Sequence, residues 1–258
     1  MNIKTNTKIH ILIENKRLQF SYLYPILSFS ISHLFSYTYN TRKEFIIMIV
    51  YFIRHGQTDW NINRRLQGRS DTPLNEHGIA TARLTGEQLK DIHFSKAISS
   101  PLKRAYQTCE LILQNRPVPI ETDANLCELS FGDYEGLCIC GEHKNIPDPL
   151  FENTFFHHPE QYITPPNGES LLELRERGKC FLETLKNHPT WQDEVVLVTA
   201  HGAILCAILA ELHQYDMEHF WGNGLLGNCS VTILRIEQGN ITIEQENKIL
   251  WSLPDTTT

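Results

Sequence analysis

Two short runs along the chain are almost wholly apolar, and each is cut off by a histidine and a glycine. Met48-Ile-Val-Tyr-Phe-Ile53 leads into Arg54-His55-Gly56, and Val195-Val-Leu-Val-Thr199 leads through Ala200 into His201-Gly202. Such a run, bounded by a turn former, predicts a strand buried on both faces. Between and around them the period lengthens. Asn75 is placed to cap a helix to about Lys90, Lys96 to Ser99 reads as a short strand, and Ser100-Pro101 opens a helix to about Gln114 with proline at its first position. Ile120 to Leu129 is strand-like, and Gly132 to Gly168 is an irregular stretch with five prolines. Asn167-Gly168-Glu169-Ser170 starts a helix to about Asn187, and Ala203 to about Leu212 forms another. Ser230 to Ile236 and Asn240 to Glu246 alternate with period two around Gly239, which predicts a hairpin. The alternation of strands and helices implies an α/β fold: a three-layer domain with a central, largely parallel sheet flanked by helices, plus a C-terminal hairpin.

The pattern divides the chain at residue 47. Residues 48–258 form the predicted catalytic domain, and 1–47 are an extension outside it. The extension carries a net charge of +4, and Leu18 to Thr41 contains no Lys, Arg, Asp or Glu. A basic stretch before an uncharged run has the outline of a signal anchor, but Pro25, His33, Asn40 and several serines make it a poor membrane span. A working start at Met48 is the preferred reading, peripheral packing the second, and membrane association through residues 18–41 the last. The expected location is the cytoplasm.

Charge then narrows the partners. With −7 overall, the part beyond residue 47 carries −11, which argues against nucleic acid, since phosphate-backbone binding needs a basic face. A small phosphate ester remains compatible, because a pocket can be cationic inside an acidic protein. The seven cysteines are scattered, and Cys138-x-Cys140 is one residue short of the usual zinc or redox spacing. They read as reduced, with neither a disulfide framework nor a zinc site. His143, His157 and His158 lack metal-ligand spacing, and Gly222-x-Gly224-x-x-Gly227 neither follows an apolar strand nor opens a helix, so it is no dinucleotide loop. The oligomeric state is not legible.

In open α/β sheets ligands bind beyond the carboxyl ends of the strands. His55 and His201 both sit there, each before a glycine that lets the backbone approach a ligand, so the two predict one shared site. Their companions make the reading specific. Arg54-His-Gly-Gln-Thr-Asp-Trp-Asn61 continues to Leu66-Gln67-Gly68 and Asp71-Thr-Pro-Leu74; Ser99-Ser-Pro-Leu-Lys-Arg104-Ala105, Leu126-Cys-Glu128-Leu-Ser-Phe-Gly-Asp-Tyr-Glu-Gly136 and Val198-Thr-Ala-His201-Gly202 follow in order. Together these resemble the histidine phosphatase superfamily, which includes cofactor-dependent phosphoglycerate mutases. The resemblance spans Met48 to the C-terminus.

The resemblance implies a metal-independent phosphoryl transfer with no cofactor. His55 would attack as a neutral imidazole, its other nitrogen donating to a backbone carbonyl. Arg54 and Arg104 would fork onto the non-bridging oxygens, Arg104 from the first turn of a helix whose N–H groups also favour an anion. His201 would add a hydrogen bond to the phosphoryl group. Glu128 would be the general acid, its pKa raised, and would then activate water. Asn61, Gln67, Gly68 and Gly202 would help hold the ester. Within the family, Leu137 to Leu174 contains Lys144 alone among cations, where mutases need a clamp for a carboxylate, and it offers Phe151, Phe155, Phe156 and Tyr162 instead. The expected activity is therefore hydrolysis of a small phosphorylated metabolite with a rather apolar side, resembling broad-specificity and α-ribazole phosphatases. The alternatives are a phosphoglycerate mutase and an inactive phospho-ligand-binding module.

Overall fold

The computed structural model describes residues 47–188, 191 and 193–252; the readings placed on residues 1–46 lie outside them. Six strands form one sheet: β1 (Ile47–Arg54), β2 (Lys96–Ser99), β3 (Ile120–Thr122), β4 (Val195–Ala200), β5 (Val231–Glu237) and β6 (Asn240–Lys248), in the order β3-β2-β4-β1-β5-β6. The first four are mutually parallel. The predicted hairpin is present, and it is part of the same sheet, because β5 pairs antiparallel with β1.

The sheet is covered on both sides, as the apolar runs require. Val50, Phe52, Val196 and Val198 face one core, which they share with helices α5 (Leu171–Asn187) and α6 (Gly202–His213). Ile53, Ala97 and Leu197 face a second core with α3 (Lys103–Leu113) and with Leu89, the residue that follows α2 (Glu76–Gln88), a helix packed against α3. One layer of helices on each face gives the expected three-layer architecture. Two short helices, α1 (Asp59–Ile62) and α4 (Phe151–Phe156), sit in the connections.

Capping explains where the helices begin. Asn75 accepts from the Gly78 N–H at 2.8 Å, and Ser170 forms a reciprocal capping box with Glu173. The α3 start departs from expectation. Leu102 is the cap and Lys103 the first helical residue, so Pro101 lies outside the helix, and the cap is supplied from a distance by Asp71, whose Oδ1 accepts from the Lys103 N–H at 2.7 Å. The expected strand over Ile120 to Leu129 stops at Thr122. Asp123 caps a tight turn over Ala124–Leu126, an Asp side chain competing for backbone donors that a ladder would need. All seven cysteines are free.

Candidate active site

Strand register assembles the site. Arg54 lies opposite Ala200 in the β1–β4 pair, and Ser99 opposite Thr199 in β2–β4. The chain therefore leaves three adjacent strands at one level, as His55, Ser100 and His201. The His55 N–H donates to the Ala200 carbonyl and the Ser100 N–H to the Thr199 carbonyl, both at 2.9 Å, which carries the register one step beyond the strands.

Both imidazoles are buried, with ring centres 5.1 Å apart. His55 Nδ1 lies 2.7 Å from the Gly56 carbonyl oxygen, which can only accept. The proton of the neutral ring is therefore on Nδ1, and Nε2 keeps its lone pair. His201 has the complementary arrangement. Its Nε2 is 2.7 Å from Ser100 Oγ, which already accepts from the Leu102 N–H at 3.3 Å. The Ser100 hydroxyl can donate to Nε2, and in that arrangement the His201 proton sits on Nδ1, a buried nitrogen with no partner.

Arg54 and Arg104 surround the pair. Arg104, fully buried, donates through Nη1 to the Ser70 carbonyl at 2.9 Å and through Nη2 to the Gly68 carbonyl at 2.7 Å. Arg54 Nη1 donates to the Leu226 carbonyl. The Nε of each has no partner, and among the described residues neither guanidinium forms an ion pair with a carboxylate. Their guanidinium groups are thus held by carbonyl dipoles, with Glu128 the leading carboxylate charge acting on both. Burial brings Arg104 down to about 10 and lowers Arg54 as well. Burial first, then Arg104 and Arg54, hold His55 well below the usual histidine range, and burial, Arg104 and the neighbouring His55 do the same for His201.

Glu128 is held as a hydrogen-bond acceptor. Its Oε1 accepts from the Leu129 and Ile204 N–H groups at 2.9 and 3.2 Å, and its Oε2 from Ala203 at 3.1 Å. Ala203 and Ile204 lie in the first turn of α6, so the side chain sits as an acceptor at the positive end of that helix. The first-turn N–H of α3 expected to help Arg104 is likewise taken, by Asp71.

The remaining predicted residues gather around the loop between β1 and α2. Gln67 is buried and bonds Thr58 Oγ1 at 2.7 Å, and Asn61 closes a capping box on Thr58, so both amides brace the loop. Asn228 donates to the His55 carbonyl at 2.9 Å and to Asn61 Oδ1 at 3.5 Å. Gly68 has no room for a side chain: a Cβ would lie 2.2 Å from Glu135 Oε1 and 2.6 Å from the Leu129 carbonyl. Gly202 packs against Arg54, whose Cζ would be 3.4 Å from an added Cβ.

Three supports carry no mark in the sequence. Glu135 accepts from the Arg69 and Ser70 N–H groups at 2.7 Å each, fixing the loop whose carbonyls hold Arg104. Arg177 pairs with Glu169 (Nε–Oε1 2.6 Å, Nη2–Oε2 2.8 Å) and donates to the Asn125 and Cys127 carbonyls at 2.7 and 2.9 Å, clamping the segment that carries Glu128. The Gly222–Gly227 loop supplies Leu226 to Arg54. Glu135 and Glu169 lie inside recognisable runs, but nothing in their spacing marks a carboxylate as a brace. Of the four aromatic residues expected to offer an apolar substrate face, Phe151 and Phe155 are buried in the core and do not, whereas Phe156 and Tyr162 are half-buried at its edge.

Among the described residues, the groups close enough to share a metal ion are Asp216, Glu218 and His219, all exposed and none of them in this site. No helix of the described residues is long and apolar enough to cross a membrane.

The chain matches, over residues 50–249, the family model described as histidine phosphatase superfamily (branch 1). It is 36% identical over 169 residues to the uncharacterized phosphatase PhoE of Bacillus subtilis (strain 168), covering 66% of this chain and 79% of that protein. It is 30% identical to the adenosylcobalamin/alpha-ribazole phosphatase of Escherichia coli (strain K12), covering 67% and 83%. The solved structure of Bacillus stearothermophilus YhfR superposes with a TM-score of 0.71 at 29% identity, covering 78% of this chain and 98% of that one.

Proposed function

The chain belongs to the histidine phosphatase superfamily, and we propose that it is a phosphomonoester hydrolase acting on small phosphorylated metabolites, with the work divided among its residues as follows. His55 Nε2 attacks phosphorus in line with the leaving oxygen and becomes phosphohistidine; water then attacks and releases phosphate. The observation that carries this is the set of buried, unpartnered donors, Arg54 Nε, Arg104 Nε and His201 Nδ1, around an imidazole whose Nε2 keeps its lone pair. Donors fixed in a water-poor site stabilise charge on the transferring oxygens without reorganising. This is the part a divalent cation plays elsewhere.

Glu128 handles the proton, giving it to the leaving alkoxide and then taking one from water. Asn61, Gln67, Gly68 and Gly202 act by shaping the loops around the phosphoryl group. Residues 48–258 are the catalytic unit, and its proposed setting is the cytoplasm.

Hydrolysis is favoured over isomerisation by Lys144, the single cation between Leu137 and Leu174, which is already 3.4 Å from Glu152 and so is not poised for a substrate carboxylate. The test is turnover with EDTA present on p-nitrophenyl phosphate and on 3-phosphoglycerate. Phosphate release that needs His55 is the expected result. Isomerisation without release points to a mutase, and binding without turnover to an inactive module.

A further inference from the structure

Beside the phosphate loop lies a cleft of about 660 Å³, lined by Arg64, Arg65, Cys138, Cys140, His143 and Asn145 among others. Its floor is a short antiparallel ribbon. The Leu66 N–H donates to the Leu137 carbonyl, Gly136 to Leu66 and Ile139 to Arg64, at 2.9, 2.9 and 3.1 Å, with Arg65 bridged to Cys138. The same ribbon runs straight into Gln67 and Gly68, whose backbone holds Arg104, so cleft and catalytic site share one stiff element.

Its charge is unusual for an acidic protein. Arg64 and Arg65 are both exposed, and among the described residues neither pairs with a carboxylate; the side-chain polar contact found for the two is Arg64 Nη1 to Cys140 Sγ at 3.5 Å. Asn145 spends its Oδ1 on the Cys138 N–H at 2.7 Å, which leaves its amide protons free. Glu142, also on the rim, is the single acid among the lining residues. Arg64 further holds a left-handed φ of 51° just after α1, a position that favours glycine or asparagine. Backbone preference therefore does not account for arginine there.

We infer that this cleft receives a second anionic group of the substrate, so that the preferred ester offers a phosphoryl group to His55 and a further phosphate or carboxylate to Arg64 and Arg65. The inference rests on the phosphatase reading above and names its substrate class. The guanidinium fork suits either anion.

The test compares fructose 1,6-bisphosphate, fructose 6-phosphate and p-nitrophenyl phosphate on the wild-type enzyme and on the double variant Arg64→Gly, Arg65→Gln. Glycine relaxes the left-handed backbone, so the variant is expected to fold at least as well. The wild type is expected to prefer the bisphosphate over the monophosphate by about tenfold in kcat/KM, less at high salt. The variant is expected to lose that preference and to keep p-nitrophenyl phosphate turnover within about twofold. A wild-type ratio near one, a preference that survives both substitutions, or equal loss on all three esters overturns the inference. Absence of turnover by the wild type on every ester, p-nitrophenyl phosphate included, overturns the phosphatase reading and the inference with it.

Discussion

Replacing Arg177 with methionine tests whether the catalytic carboxylate depends on a distant clamp. The guanidinium holds two backbone carbonyls on the segment leading to Glu128 and both oxygens of Glu169, with side-chain exposures of 18% and 11% for the pair. Removing one side of a buried pair costs about 3–5 kcal/mol. Arg69 lies 3.5 Å from the same carboxylate, though 48% exposed, and the Ser130 N–H also donates to it at 3.3 Å, so part of the charge stays satisfied. We therefore expect a loss of roughly 2–3 kcal/mol in urea unfolding at pH 7. Adding Glu169→Gln removes the stranded charge, so the double variant should be no less stable than the single one and should show coupling of at least about 1 kcal/mol. Because the clamped segment positions Glu128, kcat on p-nitrophenyl phosphate should fall by about 10- to 100-fold while KM changes less than about threefold. A variant within about 0.5 kcal/mol of wild type and with full kcat would refute the reasoning.

Three further outcomes follow from the same geometry. Both His55 and His201 have folded-state pKa values below the ordinary 6.5, so in acid the unfolded chain binds more protons than the folded one. Their contribution is complete above pH 6.5 and is lost as pH falls below it; urea midpoints should drop between about pH 6.5 and 5, and less steeply in His201→Gln. Glu128→Gln keeps an acceptor but can neither give nor take a proton, so kcat should fall by about 10²-fold or more on an alkyl phosphate, while on p-nitrophenyl phosphate, whose leaving group needs no proton, the first equivalent of p-nitrophenol should still be released quickly and the hydrolysis of the phosphohistidine should slow; a first-turnover release slowed equally on both esters would contradict the proton-transfer role. Gly68→Ala drives a Cβ into the Leu129 carbonyl, which cannot yield as a side chain could, and should lower the melting temperature and raise KM, with a stability cost of about 1–3 kcal/mol; unchanged melting would show that the loop is free to move.

The parts of the fold legible in the sequence are those set by period and punctuation. The two apolar runs form adjacent central strands, and Asn75 and Ser170, the helix caps that a side-chain oxygen marks in the sequence, do cap their helices. The α3 start is not legible, because its cap comes from Asp71, some thirty residues upstream, and no local rule reports a cap of that kind. Position in the sheet is equally hidden: the hairpin pattern predicts β5 and β6 but not that β5 joins β1.

The site divides along the same line. His55 and His201 are marked by glycine and by strand ends, and those marks alone pair them. Arg54, Arg104 and Glu128 need the company of the other motifs. Glu135, Glu169 and Arg177 are acid and base among many, and their work is to hold backbone that is distant in sequence. Glu128 is legible as a member of the site but not as a triply bonded acceptor, because its three N–H partners come from its own segment and from α6.

The most direct test of the account is to identify the covalent intermediate. Wild-type enzyme is mixed with p-nitrophenyl phosphate, quenched in base within the first turnover, and its peptides are analysed by mass spectrometry. The account expects one phosphoryl adduct, on the peptide containing His55, stable in base and lost in acid, and absent from His55→Ala. An adduct on any other residue, or undiminished phosphate release by His55→Ala, would contradict it.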